Sequence, residues 1–394
     1  MSLARRAGVD VVGGAAVGAL AGLAAAVFLR GLDVVTSWRS EHAPVVWLLP
    51  LAAAALLVVL ARFGGAAQAG TNLVLWRATD GRGDRLPLLL FPFALIGTWW
   101  THLFGGSAGR EGTAVQMGGT IADVVAAGAG RVCRIDDDDR RRLLVAGIAG
   151  GFGGVFGTPV AACIFALEVV VKSRIDVAAL VPAFVGALVG DAVGTALLHA
   201  LGGAHGLYPQ VAAFPLDARF VVVGVAVGVA ARGFGAAVTW VKSRTVRWAP
   251  HWRGLAGGTA VIVVWQVAGP EVLGLSLPTL MDAVNGADVD AAFFVWKLLA
   301  TAATLGVGLI GGEVTPLFAI GGALGATLAG PLGLPPSLTA VCAMAALFGV
   351  CARAPIALCI MAIELSGAAV LPHVVVVAAV AALILGDRSI YTRR

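Results

Sequence analysis

The sequence predicts an all-α polytopic membrane protein, and three observations carry that prediction. Of 394 residues, 59% are hydrophobic and only 12% are charged, too little charge for a soluble chain of this length. Apolar runs recur at about residues 11–30, 44–62, 86–104, 176–202, 219–231, 255–268, 299–310 and 368–386, with glycine-interrupted runs between them. The 54 glycines are spread along the whole chain, as close helix packing in lipid and interrupted helices require.

The first run follows Arg5 and Arg6 and has the outline of a secretory leader, but more membrane sequence comes after it, so it reads as the first helix. The net charge of +5 is concentrated at the ends. Arg5, Arg6, Arg388, Arg393 and Arg394 put both termini in the cytoplasm and make the number of crossings even. Lys172, Arg174 and the run Arg140, Arg141, Arg142 add to that side. Asp136 to Asp139, just before that run, read as a loop and a helix start, with acids where the helix dipole favours them. No basic, aromatic-laced soluble stretch points to nucleic acid, so the basic balance speaks for membrane topology and anionic lipid. The cysteines, Cys133, Cys163, Cys342, Cys351 and Cys359, have no metal-ligand spacing, and the six histidines form no i, i+4 pair. No metal site and no cofactor are expected.

One stretch departs from the apolar background. Residues 105–113 read GGSAGREGT and place Arg110 and Glu111 among glycines. A charge at membrane depth costs roughly 2.5 to 3.5 kcal/mol on insertion scales, so such a pair is expected to line a cavity or an ion path. Glycines that break a helix there leave backbone N–H groups free to attract an anion.

An internal repeat organises the chain. TPVAACIFALE at 158–168 and APIALCIMAIE at 354–364 share six of eleven residues, with Glu168 and Glu364 standing 196 apart. Glu111 precedes Gly118 and Gly119 much as Glu313 precedes Gly321 and Gly322. The expected organisation is a first membrane repeat at 1–203, a connecting segment at 204–218 and a second repeat at 219–394, with no soluble regulatory domain. The repeat alone leaves open whether the halves are inverted. Equivalent helix-end positions favour a structural role for Glu168 and Glu364.

Four ordered segments carry a resemblance over essentially the whole chain. GSAGREGTAVQMGG at 106–119, GVFGTPVAACIFALEV at 154–169, GGEVTPLFAIGGALG at 311–325 and CARAPIALCIMAIELSG at 351–367 resemble the signature helices of the CLC family of anion channels and proton-coupled antiporters. The resemblance implies a CLC-type fold with two inverted halves whose broken helices meet at the membrane centre. It also implies a homodimer with one pore per subunit, in a cell membrane such as the cytoplasmic (inner) membrane. Glu111 matches the family's gating glutamate, which competes with the anion and carries the proton. Tyr391, in RSIY, is similar to the tyrosine that contacts the central anion. Departures are equally informative: Thr71 stands where the chloride pattern has serine, Thr113 where it has proline, and Glu313 and Thr315 where it has apolar or small residues. Val169 occupies the place of the inner proton-transfer glutamate. These changes resemble the fluoride/proton antiporter branch, with its GGEVTP-type segment.

Physics gives the departures a meaning. Fluoride is smaller and more strongly hydrated than chloride, so a selective site must supply short, strong donors. Thr71, Thr113, Thr315 and Tyr391 offer hydroxyls, and the backbone N–H groups at 109–113 and 312–316, among them Gly109, Arg110, Gly112 and Val314, offer fixed dipoles. Glu313 becomes a donor to fluoride when protonated. The bland readings are that Glu111 pairs with Arg110, that Glu313 caps a broken helix, that Thr71 and Thr315 bond back within their own helices, and that Lys297 snorkels to the surface. The expected function is proton-coupled fluoride export, with a CLC chloride/proton antiporter or a passive anion channel as the alternative. An intramembrane enzyme using Glu111 and Glu313 lacks any HExxH, GxSxG or nucleophile–base pattern.

Overall fold

The computed structural model describes residues 7–80, 84–131, 134–171 and 175–391, which leaves Arg5, Arg6, Cys133, Lys172, Arg174, Arg393 and Arg394 outside the described residues. Sixteen α-helices form among the described residues. The first eight are α1 (Gly14–Glu41), α2 (Leu49–Phe63), α3 (Thr71–Asp80), α4 (Leu90–Leu103), α5 (Glu111–Ala129), α6 (Asp137–Phe156), α7 (Pro159–Val171) and α8 (Leu180–Ala200). The rest are α9 (Arg219–Thr245), α10 (Pro250–Ala268), α11 (Leu277–Val284), α12 (Phe293–Gly306), α13 (Val314–Leu332), α14 (Pro336–Ala352), α15 (Pro355–Ser366) and α16 (Leu371–Leu385). Residues 203–217 run without helix or strand and take in nearly all of the segment 204–218 expected to connect the halves.

Six helical segments among the described residues are long and apolar enough to cross a membrane. Val314–Leu332 stands apart: 72% of its apolar window is buried, against 33–44% in the other five, so α13 is wrapped by protein rather than lipid. Several helices are too short to span. The 14 residues of α4 and of α12 rise about 21 Å at ~1.5 Å per residue, against ~30 Å of hydrocarbon. They end inside, and their free backbone groups must be met by protein.

Small residues set the packing distances. On α1, Gly18 and Gly22 face Gly186 and Gly190 of α8 so closely that a Cβ would stand 2.5 and 2.3 Å from the facing carbonyl oxygens. Any side chain would force the helices apart and lose their van der Waals contact, which drives association in lipid.

The halves are inverted relative to each other, and one reciprocal exchange makes the internal two-fold visible. Glu168, at the end of α7, accepts from the N–H groups of Ile356 (3.4 Å) and Ala357 (3.0 Å) at the start of α15. Glu364, at the end of α15, accepts from Val160 (3.0 Å) and Ala161 (2.7 Å) at the start of α7. Each acid thus caps the other half's broken helix, satisfying orphan N–H groups where the dipole favours negative charge. Val169, beside Glu168, is buried among apolar side chains of the protein interior.

At the other end of the body, α6 starts with a capping box: Asp139 N–H donates to Asp136 (2.8 Å) and Asp136 N–H to Asp139 (3.3 Å). The basic run that follows is partly internal. Arg142 is buried and bonds Asp10 (2.9 Å), Asp139 (2.6 Å) and Asp138, which ties the start of the first helix to α6.

Candidate functional site

Two helix starts, one from each half, face each other at the centre. The segment before α5 and the segment before α13 are joined by a pair of backbone hydrogen bonds, Gly109 N–H to Gly312 O (2.5 Å) and Gly312 N–H to Gly109 O (2.8 Å). Only glycine fits here. A Cβ on Gly312 would stand 2.8 Å from Gly112 N, 3.1 Å from Glu111 N and 3.3 Å from Arg110 N. A Cβ on Gly109 would stand 2.9 Å from Gly312 O and 3.0 Å from a Glu111 carboxylate oxygen. The bare backbone therefore lets the opening N–H groups of α5 and the Glu111 carboxylate converge on one small volume.

Glu111 is fully buried. Its carboxylate reaches across to the opposite half, where Thr315 N–H donates to Oε2 (3.1 Å) and the Thr315 hydroxyl donates to Oε1. Arg110 N–H adds a third donor (3.1 Å), and Arg110 Nε lies 3.4 Å from Oε1. The Arg110 pairing anticipated from sequence is present, but the shorter contacts run to Thr315. A carboxylate at the N-terminus of α13, held by backbone and hydroxyl donors, occupies the kind of place an anion would take.

The expected partners of Glu111 and Glu313 in the repeat are shifted by one residue. Arg110 is the N-cap of α5 and Glu313 the N-cap of α13, so Glu313 corresponds to Arg110 and Glu111 to Val314. Glu313 is half-buried and its carboxyl is hydrogen-bonded with the Tyr391 hydroxyl. Tyr391 is itself buried, fixed by Ile390 N–H donating to Cys351 O (3.0 Å).

The threonines divide. Neither Thr71 nor Thr315 bonds back within its helix: the Thr315 hydroxyl goes to Glu111, and the Thr71 hydroxyl donates to Gly112 O (3.3 Å) and accepts from Gln116 Nε2 (3.2 Å). Thr113 lies elsewhere. Thr98 gives its proton to Ala94 O (2.7 Å), so the 2.6 Å contact between Thr113 and Thr98 must be donated by Thr113, whose hydroxyl is thereby committed to α4.

A cavity of about 410 Å³ runs from the exposed Lys242 and from Arg253 to Thr71, Gln116, Glu313 and Tyr391. Glu111, with no exposed surface, lies beyond it.

A buried polar frame holds the Gly105–Gly109 loop in place. His102 sets its ring nitrogens against Thr98 O (2.8 Å) and Ala108 O (3.0 Å), and Ser107 bonds Thr304 (3.0 Å) and Thr301 (2.9 Å) of α12. Lys297, one turn earlier on α12, corrects the snorkelling expectation. It is fully buried, with its ammonium donating to Val272 O (3.1 Å) and Gly274 O (2.7 Å). A polar residue every three or four positions on an apolar helix was the available signal, as it was for Gln116 on α5. Sequence reading passed over both His102 and Gln116. The cysteines Cys163, Cys342 and Cys351 are buried and Cys359 half-buried.

Fold and site together define an integral membrane protein whose broken helices bring an anion-compatible centre and two carboxyl groups between its inverted halves. The chain belongs to the CLC family: residues 52–386 match the family model described as voltage gated chloride channel. It is 38% identical over 392 residues to the chloride/fluoride channel protein of Pseudomonas syringae pv. tomato, covering 94% of this chain and 83% of that one. It is 28% identical over 421 residues to the H(+)/Cl(-) exchange transporter ClcA of Vibrio campbellii, covering 96% and 87%. Among solved structures, a CLC-type fluoride/proton antiporter matches with a TM-score of 0.89 and 32% identity, covering 97% of this chain and 96% of that one. A slow cyanobacterial Cl−/H+ antiporter shares the fold with a TM-score of 0.82 at 22% identity, covering 96% and 94%. These relatives are channels and exchangers, and the chain is a transport protein of their family rather than an enzyme.

Proposed function

We propose that this protein exports fluoride in exchange for protons, with Glu111 as the group that enforces the exchange. The observation that carries the reading is the Glu111 carboxylate seated at the N-terminus of α13 on Thr315 N–H and the Thr315 hydroxyl. An anion needs the same donors, so carboxylate and anion compete for one place. Protonation removes the charge that holds Glu111 there and lets the anion in. Loss of the proton brings the carboxylate back and expels the anion.

Glu313 and Tyr391 supply a second protonation-linked step. An ionised Glu313 accepts the one hydrogen bond that the tyrosine's hydroxyl can donate. Once Glu313 is protonated, it becomes a donor itself and frees the Tyr391 hydroxyl to donate to an anion. Two carboxyl groups on the two sides of the Gly109–Gly312 bridge then relay protons without a glutamate at position 169. Gly109, Arg110, Gly112 and Val314 contribute backbone dipoles; Thr71 and Thr113 contribute the surrounding frame. Fluoride as the cargo is supported by the likeness to the CLC-type fluoride/proton antiporter and by the GGEVTP segment at 311–316.

The organisation proposed with it is a repeat at 1–203, a connection at 204–218 and a repeat at 219–394, with both ends cytoplasmic in the inner membrane. A homodimer is supported by Val160 and Ile356, exposed apolar residues at two-fold-related places on α7 and α15. These helices, 13 and 12 residues long, are too short to face lipid across its whole thickness. Purified protein in liposomes tests the function: an imposed fluoride gradient is expected to drive protons uphill. Chloride flux without proton movement would replace the reading with a passive channel.

A further inference from the structure

The hydrogen bonds between Gln116 and Thr71 at the cavity leave Gln116 with a donor to spare. Several side chains with N–H or O–H groups line it together with Glu313, among them Thr71, Asn72, Gln116 and Tyr391. Tyr391 has one hydroxyl proton and shares it with Glu313. Thr71 also has one proton, and Gly112 O, which can only accept, receives it at 3.3 Å. Gln116 Nε2 donates to the lone pair that Thr71 has left, at 3.2 Å. A carboxamide nitrogen carries two hydrogens, so one N–H of Gln116 remains after the Thr71 bond. The side chain is 6% exposed and borders the cavity.

The backbone makes room for this amide. Gly70 adopts φ +54°, a left-handed conformation that favours glycine, and a Cβ there would come within 3.5 Å of Gln116 Nε2. Gln116 lies five residues beyond Glu111 on the same helix and is pinned by Thr71 of α3.

We infer that Gln116 is a specificity-determining residue: its second amide N–H donates to the transported anion, and Thr71 acts as a positioning residue that orients this amide rather than as a direct donor. The inference rests on the fluoride/proton exchange proposed above and names a donor from the first half of the chain. A small, strongly hydrated anion depends on each fixed donor more than a large one does, so losing the amide weakens fluoride transport more than chloride transport.

A double-mutant cycle tests this in liposomes, reading the ratio of fluoride to chloride flux. Gln116→Met, near in size and without a donor, is expected to lower the ratio about tenfold, the size of one lost hydrogen bond to a charged group. Thr71→Val is expected to lower it less, and Thr71→Ser to leave it at the wild-type value. In the Gln116→Met background, Thr71→Val is expected to change the ratio no further, since there is no amide left to orient. An unchanged ratio in Gln116→Met, or additive losses in the double variant, overturns the inference; additive losses would return the donor role to Thr71. Gln116→Leu gives a second donor-free side chain should the methionine variant misfold. Wild-type protein that moves no fluoride would instead sink the proposed exchange, so the two failures are told apart.

Discussion

Two pairs of acids, each with one member in either half of the chain, behave in opposite ways. Glu168 and Glu364 are related by the internal two-fold, and each closes the N-terminus of the other half's helix with two backbone hydrogen bonds. Glu111 and Glu313 lie at the equivalent junction nearer the centre, but there the symmetry fails. The N-cap of α5 is Arg110 and that of α13 is Glu313, and the next residue is Glu111 in one half and Val314 in the other. The symmetric acids are fully used by the helices they cap. The asymmetric ones contact hydroxyls, Thr315 and Tyr391, that an anion could take over. A repeated acid holds the halves together, and an unrepeated acid gives the centre a direction.

Breaking each pair should therefore give different phenotypes. The largest effect is expected at the centre: Glu313→Gln keeps the size but no longer titrates, and fluoride flux should fall about tenfold or more, equivalent to ~1.4 kcal/mol. Glu364→Gln should leave flux in the folded protein within about twofold. Wild-type flux and coupling in Glu313→Gln would place that residue with the structural acids.

The structural pair should show itself in stability. Glu168→Gln and Glu364→Gln each weaken two charge-assisted caps and should lower unfolding free energy by about 1–3 kcal/mol, by similar amounts because the geometry is reciprocal. Thermal melting in detergent measures this. A loss confined to one of the two would break the symmetry argument.

A smaller contrast separates two threonines. Thr315→Val removes a hydroxyl from Glu111 and should lower fluoride flux about three- to tenfold while sparing chloride. Thr113→Val removes a hydroxyl that serves Thr98 and should leave the fluoride to chloride ratio unchanged, costing about 1 kcal/mol of stability. Equal ratios in the two variants would remove the distinction.

The smallest effect belongs to the connection between the halves. The neighbouring Arg219 side chain holds the Asp217 carboxyl well below its usual range, down to about 2. A depressed carboxylate contributes fully above its unfolded pKa of 3.8 and loses that contribution progressively as pH falls from there through about 2. Asp217→Asn should thus leave the pH profile of transport unmoved between about pH 5 and 8, well above the range in which this carboxyl titrates.

Much of this contrast is legible in the sequence, and the part that is not has a physical reason. The repeat around Glu168 and Glu364 is read directly, because both copies keep the same residues around the acid. Glu111 and Glu313 stand out as charges in an apolar chain. Their register does not, since Arg110 and Glu313 share no chemistry that would align them. Lys297 misleads for a related reason: its partners are the carbonyls of Val272 and Gly274, in a segment with no side-chain signal. The commitment of Thr113 to Thr98 likewise depends on how α4 packs against α5, which no local pattern records.

The central claim is that an unrepeated carboxylate in the anion's place converts anion flow into exchange. Proton transport driven by a fluoride gradient, measured in liposomes for wild-type protein and Glu111→Gln, tests it most directly. Uphill proton movement in the wild type and none in Glu111→Gln is the predicted result; proton movement that persists in Glu111→Gln would contradict the account.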